Sequence, residues 1–176
     1  GQLEAKIGII RDCLTRIAKI DFEGEIPIIA SLQEFEYRSR ARWHLDKERQ
    51  AFGYMRRDSG DVVDVSTCPI LTPGMQSTLD YLRLSTDWSA LQGSHREIEA
   101  VSGEGGRVST YFPGTKAAAA EIDIELAGET YAYSAETFFQ ANRSLIPELI
   151  TAAIGDAAGM TAFDLYCGVG LFSLPL

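Results

Sequence analysis

The spacing of apolar residues changes several times along the chain, and each change predicts an element. Over residues 2–20, Leu3, Ile7, Ile10, Leu14, Ile17 and Ile20 recur every three or four positions, the mark of one face of an amphipathic helix. Cys13 lies beside that stripe and reads as a small buried or half-buried thiol. Residues 21–36 form a connection with one short apolar piece, Ile26-Pro27-Ile28-Ile29. From residue 37 to 45 the period becomes two: Tyr37, Ala41, Trp43 and Leu45 point one way, and Arg38, Arg40, Arg42 and His44 the other. Phe52-Gly53-Tyr54-Met55-Arg56-Arg57 reads as the next strand, Asp58-Ser59-Gly60 as a turn, and Asp61-Val62-Val63-Asp64-Val65 as the return. The expectation is a three-stranded antiparallel meander with arginines on its exposed face.

Thr72 and Pro73 then mark a helix start, with Met75, Leu79, Leu82 and Trp88 supplying its apolar side. Residues 95–101 and 106–112, joined through Gly103-Glu104-Gly105-Gly106, read as a hairpin. A half-exposed strand at 121–126 turns at Gly128-Glu129 into residues 130–134. Residues 37–134 are therefore expected to be a mainly antiparallel sheet with one helix. At Ala135 the style changes. A helix is predicted over residues 143–154, with Asn142 or Ser144 as cap and Gly155 and Gly159 at its end. Residues 161–166 are an apolar run of the buried parallel-strand type, followed by a loop with Gly168 and Gly170. Helix, glycine link, strand and glycine loop are how an open α/β fold begins.

Composition narrows the class. The 176 residues allow one large domain or two small ones, and the segments read as 1–36, 37–134 and 135–176. No apolar run is long enough to cross a bilayer, and Gly1-Gln2-Leu3-Glu4 does not read as a signal peptide. Cys13, Cys68 and Cys167 are too widely spaced for a disulfide framework, which favours a reducing, cytoplasmic setting. The net charge of −9 argues against a generic nucleic-acid coat. Yet residues 35–60 carry seven Arg or Lys against four acids, so an otherwise acidic chain has one basic stretch. That stretch is either a polyanion contact or a solvated sheet face.

The candidate chemistry lies in Asp164-Leu165-Tyr166-Cys167-Gly168-Val169-Gly170-Leu171. Glycines let the main chain approach a ligand, and the first N–H groups of a following helix would face it. The dinucleotide fingerprint G-x-G-x-x-G fails, because Leu171-Phe172-Ser173 follows Gly170. An acid at a strand end followed by G-x-G suits S-adenosylmethionine better. An ordinary glycine turn remains the alternative. His44 and His95 have no triad context and read as surface or sheet residues.

Taken together, Tyr37-Arg38-Ser39-Arg40-Ala41-Arg42, Phe52-Gly53-Tyr54, Cys68-Pro69-Ile70-Leu71, Phe138-Phe139-Gln140-Ala141-Asn142 and the glycine loop resemble the RNA uridine-C5 methyltransferases. The resemblance spans essentially the whole chain. It implies an α+β fold, a central sheet domain that meets RNA, followed by the first helix and strand of a Rossmann-like S-adenosylmethionine domain. It implies that Gln140 contacts S-adenosylmethionine and that Tyr166, Gly168, Gly170 and Leu171 line the same site, Leu171 standing where family members often carry a polar residue. Cys68 resembles the last ligand of a 4Fe-4S cluster in the ribosomal-RNA branch. Such a cluster needs four thiolates, the partner cysteines are expected upstream of Gly1, and no cluster is expected in these 176 residues alone. Arg38, Arg40, Arg42, Arg56 and Arg57 become the RNA contacts.

The family's nucleophilic cysteine and its base are expected beyond Leu176, so no catalytic residue is assigned here and the segment alone is expected to be inactive. Cys167 reads as a small buried residue of the loop. The resulting expectation is part of a cytoplasmic 23S rRNA uridine-C5 methyltransferase. A non-catalytic RNA-binding module and the transfer-RNA branch stand as alternatives. The unfinished sheet edge at residues 160–176 invites pairing with a second copy.

Overall fold

A computed structural model describes residues 1–91 and 95–176, which fall into two compact units, Gly1–Leu32 and Gln33–Leu176. In the first unit the three-to-four spacing forms helix α1, Gln2–Cys13, which runs on as a π-helical turn, Leu14–Ala18. Lys19 ends it in the left-handed region at φ 58°. Arg11 donates to the Phe22 carbonyl (2.7 Å) and the Gly24 carbonyl (2.8 Å), tying the connection to the helix. The predicted stripe is not buried: Ile7 and Leu14 are half-covered, and Ile10 and Ile17 are exposed. Cys13 is exposed too, where its place beside the stripe predicts a buried or half-buried thiol. An apolar helix face is buried only against a second layer, and this unit supplies none for it.

The second unit is built on strands β1 (Arg40–Asp46), β2 (Ala51–Met55), β3 (Val62–Asp64), β4 (His95–Ser102) and β5 (Val108–Tyr111). Among the described residues they form one antiparallel sheet in the order β3-β2-β1-β4-β5. The meander and the hairpin are as expected. The sequence does not announce that β4 lies against β1, pairing Arg42 with Glu99 and Trp43 with Ile98. Helix α2, Pro73–Ser85, covers one face, packing Met75 and Leu79 onto Trp43, Phe52 and Ile98. Thr72 holds the N-cap position with Pro73 at the first turn, but its hydroxyl pairs with that of Ser102 (3.2 Å) and not with a helix N–H.

Strands β6 (Ile122–Leu126) and β7 (Glu129–Tyr133) form a separate two-stranded sheet, and do not extend the large one as expected. Helix α3, Ile146–Ile154, is preceded by a 3-10 turn, Arg143–Leu145. Neither expected side-chain cap is made, since the Ser144 hydroxyl donates to Asn142 Oδ1 (2.7 Å). These elements share a second core of Ile122, Ile124, Tyr131, Tyr133, Phe139 and Ile146. That core also takes in Val101 of β4, so residues 135–176 belong to the same compact unit as the sheet.

The strand expected at residues 161–166 does not form. Phe163 is 87% and Tyr166 103% exposed, and Cys167 is exposed where a buried residue is expected. A buried parallel strand needs neighbours to satisfy its N–H and C=O groups, and none of the described strands lies beside it. The residues after Gly170 make a turn closed by Leu174 N–H to the Gly170 carbonyl (3.0 Å), not a helix. No helix among the described residues is long and apolar enough to cross a membrane.

Tyr133 carries a testable consequence of this packing. Its hydroxyl donates to the Ser102 carbonyl (2.8 Å), and burial pushes its pKa up to about 12. A phenol raised above its unfolded value gives stability that is whole below about pH 10 and is lost as pH rises toward the folded value. Denaturation midpoints should therefore fall between about pH 10 and 12. Tyr133→Phe should shrink that loss without abolishing it, because burial also raises Tyr54 and Tyr131. At neutral pH the variant should be less stable by about 1 kcal/mol, for one lost buried hydrogen bond.

Candidate functional site

The arginine row at the start of β1 meets the segment carrying Gln140. Arg38 forms isolated bridges to Leu71 on one side and Asn142 on the other. Ser39, fully buried, donates its N–H (2.8 Å) and its hydroxyl (2.9 Å) to the Ala141 carbonyl. An open groove of about 550 Å³ results, lined by Arg38, Arg40, Arg42, Glu99, Phe138 and Gln140 among others. Three of the sequence-assigned RNA contacts and the sequence-assigned cofactor glutamine thus line one depression. Gln140 is half-buried in it, and Phe138 is exposed.

The arginines are not the open basic face that alternation suggests. Arg38 lies over the Tyr54 ring, 5.9 Å from its centroid, and its Nε donates to the Arg40 carbonyl (3.0 Å). Arg40 and Arg42 both pair with Glu99, one to each carboxylate oxygen. The register of β1 on β4 sets Glu99 directly across from Arg42, so cross-strand charge pairing takes up part of the row. Arg56 and Arg57 are exposed, but they sit in the turn after β2 rather than in a strand. The Arg56 N–H donates to the Asp61 carbonyl (2.7 Å).

The glycine loop is the second part. Gly168 and Gly170 have φ of 57° and 81°, values that cost glycine nothing and other residues a steric penalty. Tyr166 also has positive φ, 65°, rare for a bulky side chain, and it projects into solvent. The Ser173 hydroxyl donates to Asp164 Oδ2 (2.6 Å) and closes the loop. Leu171 does not line an open site: its side chain is buried in the second core, and its carbonyl accepts from the Tyr131 hydroxyl (3.3 Å). Tyr166, Gly168 and Gly170 do not line the groove that holds Gln140.

Tyr131 links the two parts. Its ring lies 6.0 Å from that of Phe139, the neighbour of Gln140, while its hydroxyl holds Leu171 at the end of the loop. Sequence reasoning missed Tyr131 and Ser39 as supports. The period-two pattern of β7, which turns Tyr131 and Tyr133 inward together, is the signal for the first. Nothing local marks Ser39, whose partners lie about a hundred residues away.

Cys68 is half-buried beside the Tyr54 hydroxyl (3.9 Å from its Sγ), with its N–H donated to Gln76 Oε1 (3.0 Å). Among the described residues no group of three or more His, Cys, Asp or Glu could hold a metal ion. One thiol does not fit a four-thiolate iron–sulfur cluster, so the residues present do not by themselves make that site.

Curated relatives decide what family this arrangement belongs to. The chain is 27% identical over 205 aligned residues to a 23S rRNA (uracil(1939)-C(5))-methyltransferase of Marinomonas sp. (strain MWYL1), covering 90% of this chain and 47% of that protein. It is 31% identical to a protein of the same description from Photobacterium profundum, covering 88% and 41%. The chain belongs to the RNA uracil-C5 methyltransferase family. An uncharacterized RNA methyltransferase of Aquifex aeolicus (strain VF5) is 28% identical over 99% of the chain. The chain spans about half the length of the curated relatives it matches. No family model matches it. Among solved structures, the Pyrococcus abyssi tRNA (uracil-54, C5)-methyltransferase in complex with S-adenosyl-L-homocysteine has the same fold, with a TM-score of 0.70 at 18% identity over 96% of this chain and 52% of that one.

Proposed function

We propose that the protein carrying this chain transfers the methyl group of S-adenosylmethionine to C5 of a uridine in RNA, with 23S ribosomal RNA as substrate. The observation that carries the reading is the joint mounting of Gln140 and the 164–171 loop on one core through Tyr131. Gln140 contacts the methyl donor, and Tyr166, Gly168 and Gly170 meet it through a main chain that can come close. Leu171 anchors that loop from within the core. Arg42, Arg56 and Arg57 contact RNA phosphates, with Arg38 behind them on Tyr54. In the reaction a cysteine thiolate adds to C6 of uridine, C5 attacks the methyl group of the sulfonium with S-adenosylhomocysteine as the leaving group, and a base takes the C5 proton as the thiolate is expelled from C6 and the C5–C6 double bond re-forms. We place that cysteine and base outside these 176 residues; turnover by the 176-residue chain alone would overturn the placement. Under the ribosomal reading Cys68 gives one thiolate to a 4Fe-4S cluster completed by other segments of the whole protein.

Gln140→Ala in the whole protein is the direct test. It should weaken S-adenosylmethionine binding about tenfold or more, as loss of a hydrogen-bonding group facing a ligand does, and leave RNA affinity unchanged. Calorimetric titration of the donor and filter binding of RNA measure the two; unchanged donor affinity would sink the assignment. Methyl transfer to unmethylated 23S ribosomal RNA against unmethylated transfer RNA separates the ribosomal reading from the transfer-RNA one, toward which the Pyrococcus fold match points.

A further inference from the structure

Residues 134–141, between β7 and the bridge at Asn142, belong to no helix or strand. Their carbonyls therefore have no ladder to satisfy them. Four of those carbonyls are met by two consecutive residues, Ser39 just before β1 and Arg40 at its start. Ser39 serves Ala141 and, through its hydroxyl at 3.3 Å, Gln140. Arg40 donates Nη1 to the Thr137 carbonyl (2.5 Å) and Nη2 to the Ala135 carbonyl (3.0 Å), with Nη2 also paired to Glu99. A planar guanidinium whose donors are fixed at three acceptors is a rigid bracket.

Arg40 and Arg42 differ sharply in this respect. The Arg40 side chain is 17% exposed and that of Arg42 57%. Arg42 touches Glu99 through Nη2 alone, from the solvent side. A phosphate could take Arg42 without disturbing any main-chain carbonyl. Taking Arg40 would strip the Ala135 and Thr137 carbonyls of their donors and leave half-buried Glu99 short of one partner, a poor exchange for a contact in water.

We infer that Arg40 is a positioning residue for the donor-binding segment, bracketing residues 135–137 so that Gln140 is held in the groove, and that it makes no phosphate contact. This rests on the reading of Gln140 given above. Because Arg42 on the same strand faces outward, one strand then carries both the RNA contact and the mount of the methyl-donor contact.

The test uses the whole protein with Arg40→Ala, Arg40→Lys, Arg42→Ala and Gln140→Ala, measuring donor affinity and the salt dependence of RNA binding. Arg40→Ala should weaken donor binding about tenfold, as displacement of a positioned group does, with the RNA salt slope unchanged. Arg42→Ala should lower the log–log salt slope by about 0.7–0.9, one phosphate's worth, and leave donor affinity within about twofold. Arg40→Lys keeps the charge but cannot fork to three acceptors, so it should weaken donor binding while RNA binding stays wild-type. It also decides the matter should the alanine variant fail to fold. A reduced salt slope in either Arg40 variant with donor affinity intact overturns the inference. Donor binding weakened by Gln140→Ala but not by the Arg40 variants sinks the positioning role alone. Donor binding indifferent to Gln140→Ala sinks the underlying reading instead.

Discussion

Phe139→Ala is expected to cost about 3–5 kcal/mol of folding stability, the range for emptying a fully packed aromatic site. Phe139 is 2% exposed. Its ring stacks on Tyr133 with centroids 4.4 Å apart and planes 8° apart, and it meets Tyr131 at a tilt. Two interactions beyond plain burial are therefore lost along with the apolar surface. The cavity cannot collapse easily, because Tyr133 is held by the Ser102 carbonyl and Tyr131 by the Leu171 carbonyl. Urea denaturation followed by fluorescence should show the midpoint falling steeply with little change in slope. The functional effect goes further than stability. Gln140 follows directly in the chain, and Leu171 leans on the same ring set, so donor affinity should fall even under conditions where the variant is folded. A loss below about 1 kcal/mol would show that residue 139 is not a packed anchor, and the joint mounting of Gln140 and the glycine loop would fall with it.

What can be read from the chain, and what cannot, divides along the range of the interactions. Alternation at Ala41, Trp43 and Leu45 identifies the buried face of β1 correctly, because the side-chain period of a strand is a local property. Thr72 and Pro73 mark the start of α2 for the same reason. The arginines on the other face read as open because their partner, Glu99, lies on β4, more than fifty residues away. Only the crossover that sets β4 beside β1 puts that carboxylate between Arg40 and Arg42. Residues 161–166 fail in the opposite sense. Their composition records what the segment needs, neighbours on both edges and cover on both faces, but a run of apolar residues does not supply those neighbours. The α1 stripe is the helical version of the same limit: Ile10 and Ile17 have the right spacing, but their own unit supplies no layer to cover them. At the candidate site, the residue types are legible in Gln140 and the glycine loop. Of their supports, Tyr131 is signalled by the period-two pattern of β7, whereas Ser39 comes from contacts that no spacing rule encodes.

Gly53→Ala should cost about 2–3 kcal/mol, against the usual direction, since alanine in a strand interior ordinarily gains over glycine. The reason is where a Cβ at residue 53 would point. It would collide with the Val63 carbonyl oxygen and stand 2.9 Å from the Val65 nitrogen and 3.1 Å from the Val65 Cβ. Two of those three neighbours are main chain, so no side-chain rotation relieves the clash. Nor can β3 simply swing away. Val65 N–H donates to the Phe52 carbonyl (2.9 Å), and Asp64 Oδ1 accepts from the Phe52 N–H (2.8 Å). Arg83 of α2 pins both sides, donating to Asp64 Oδ1 (2.6 Å) and to the Phe52 carbonyl (2.8 Å). The hydrogen bonds from Arg83 hold the Asp64 carboxyl below its ordinary range. A depressed carboxylate contributes stability that is present above its unfolded value, near pH 4, and lost as pH falls through the folded one. Acid therefore loosens the clamp that prevents β3 from yielding. The penalty of Gly53→Ala, measured by urea denaturation of variant and wild type side by side, should be larger at pH 7 than at a pH acid enough to protonate Asp64 in the folded protein. A penalty at pH 7 under about 0.5 kcal/mol would show that β3 moves freely and that the Arg83 clamp does not set the spacing of β2 and β3.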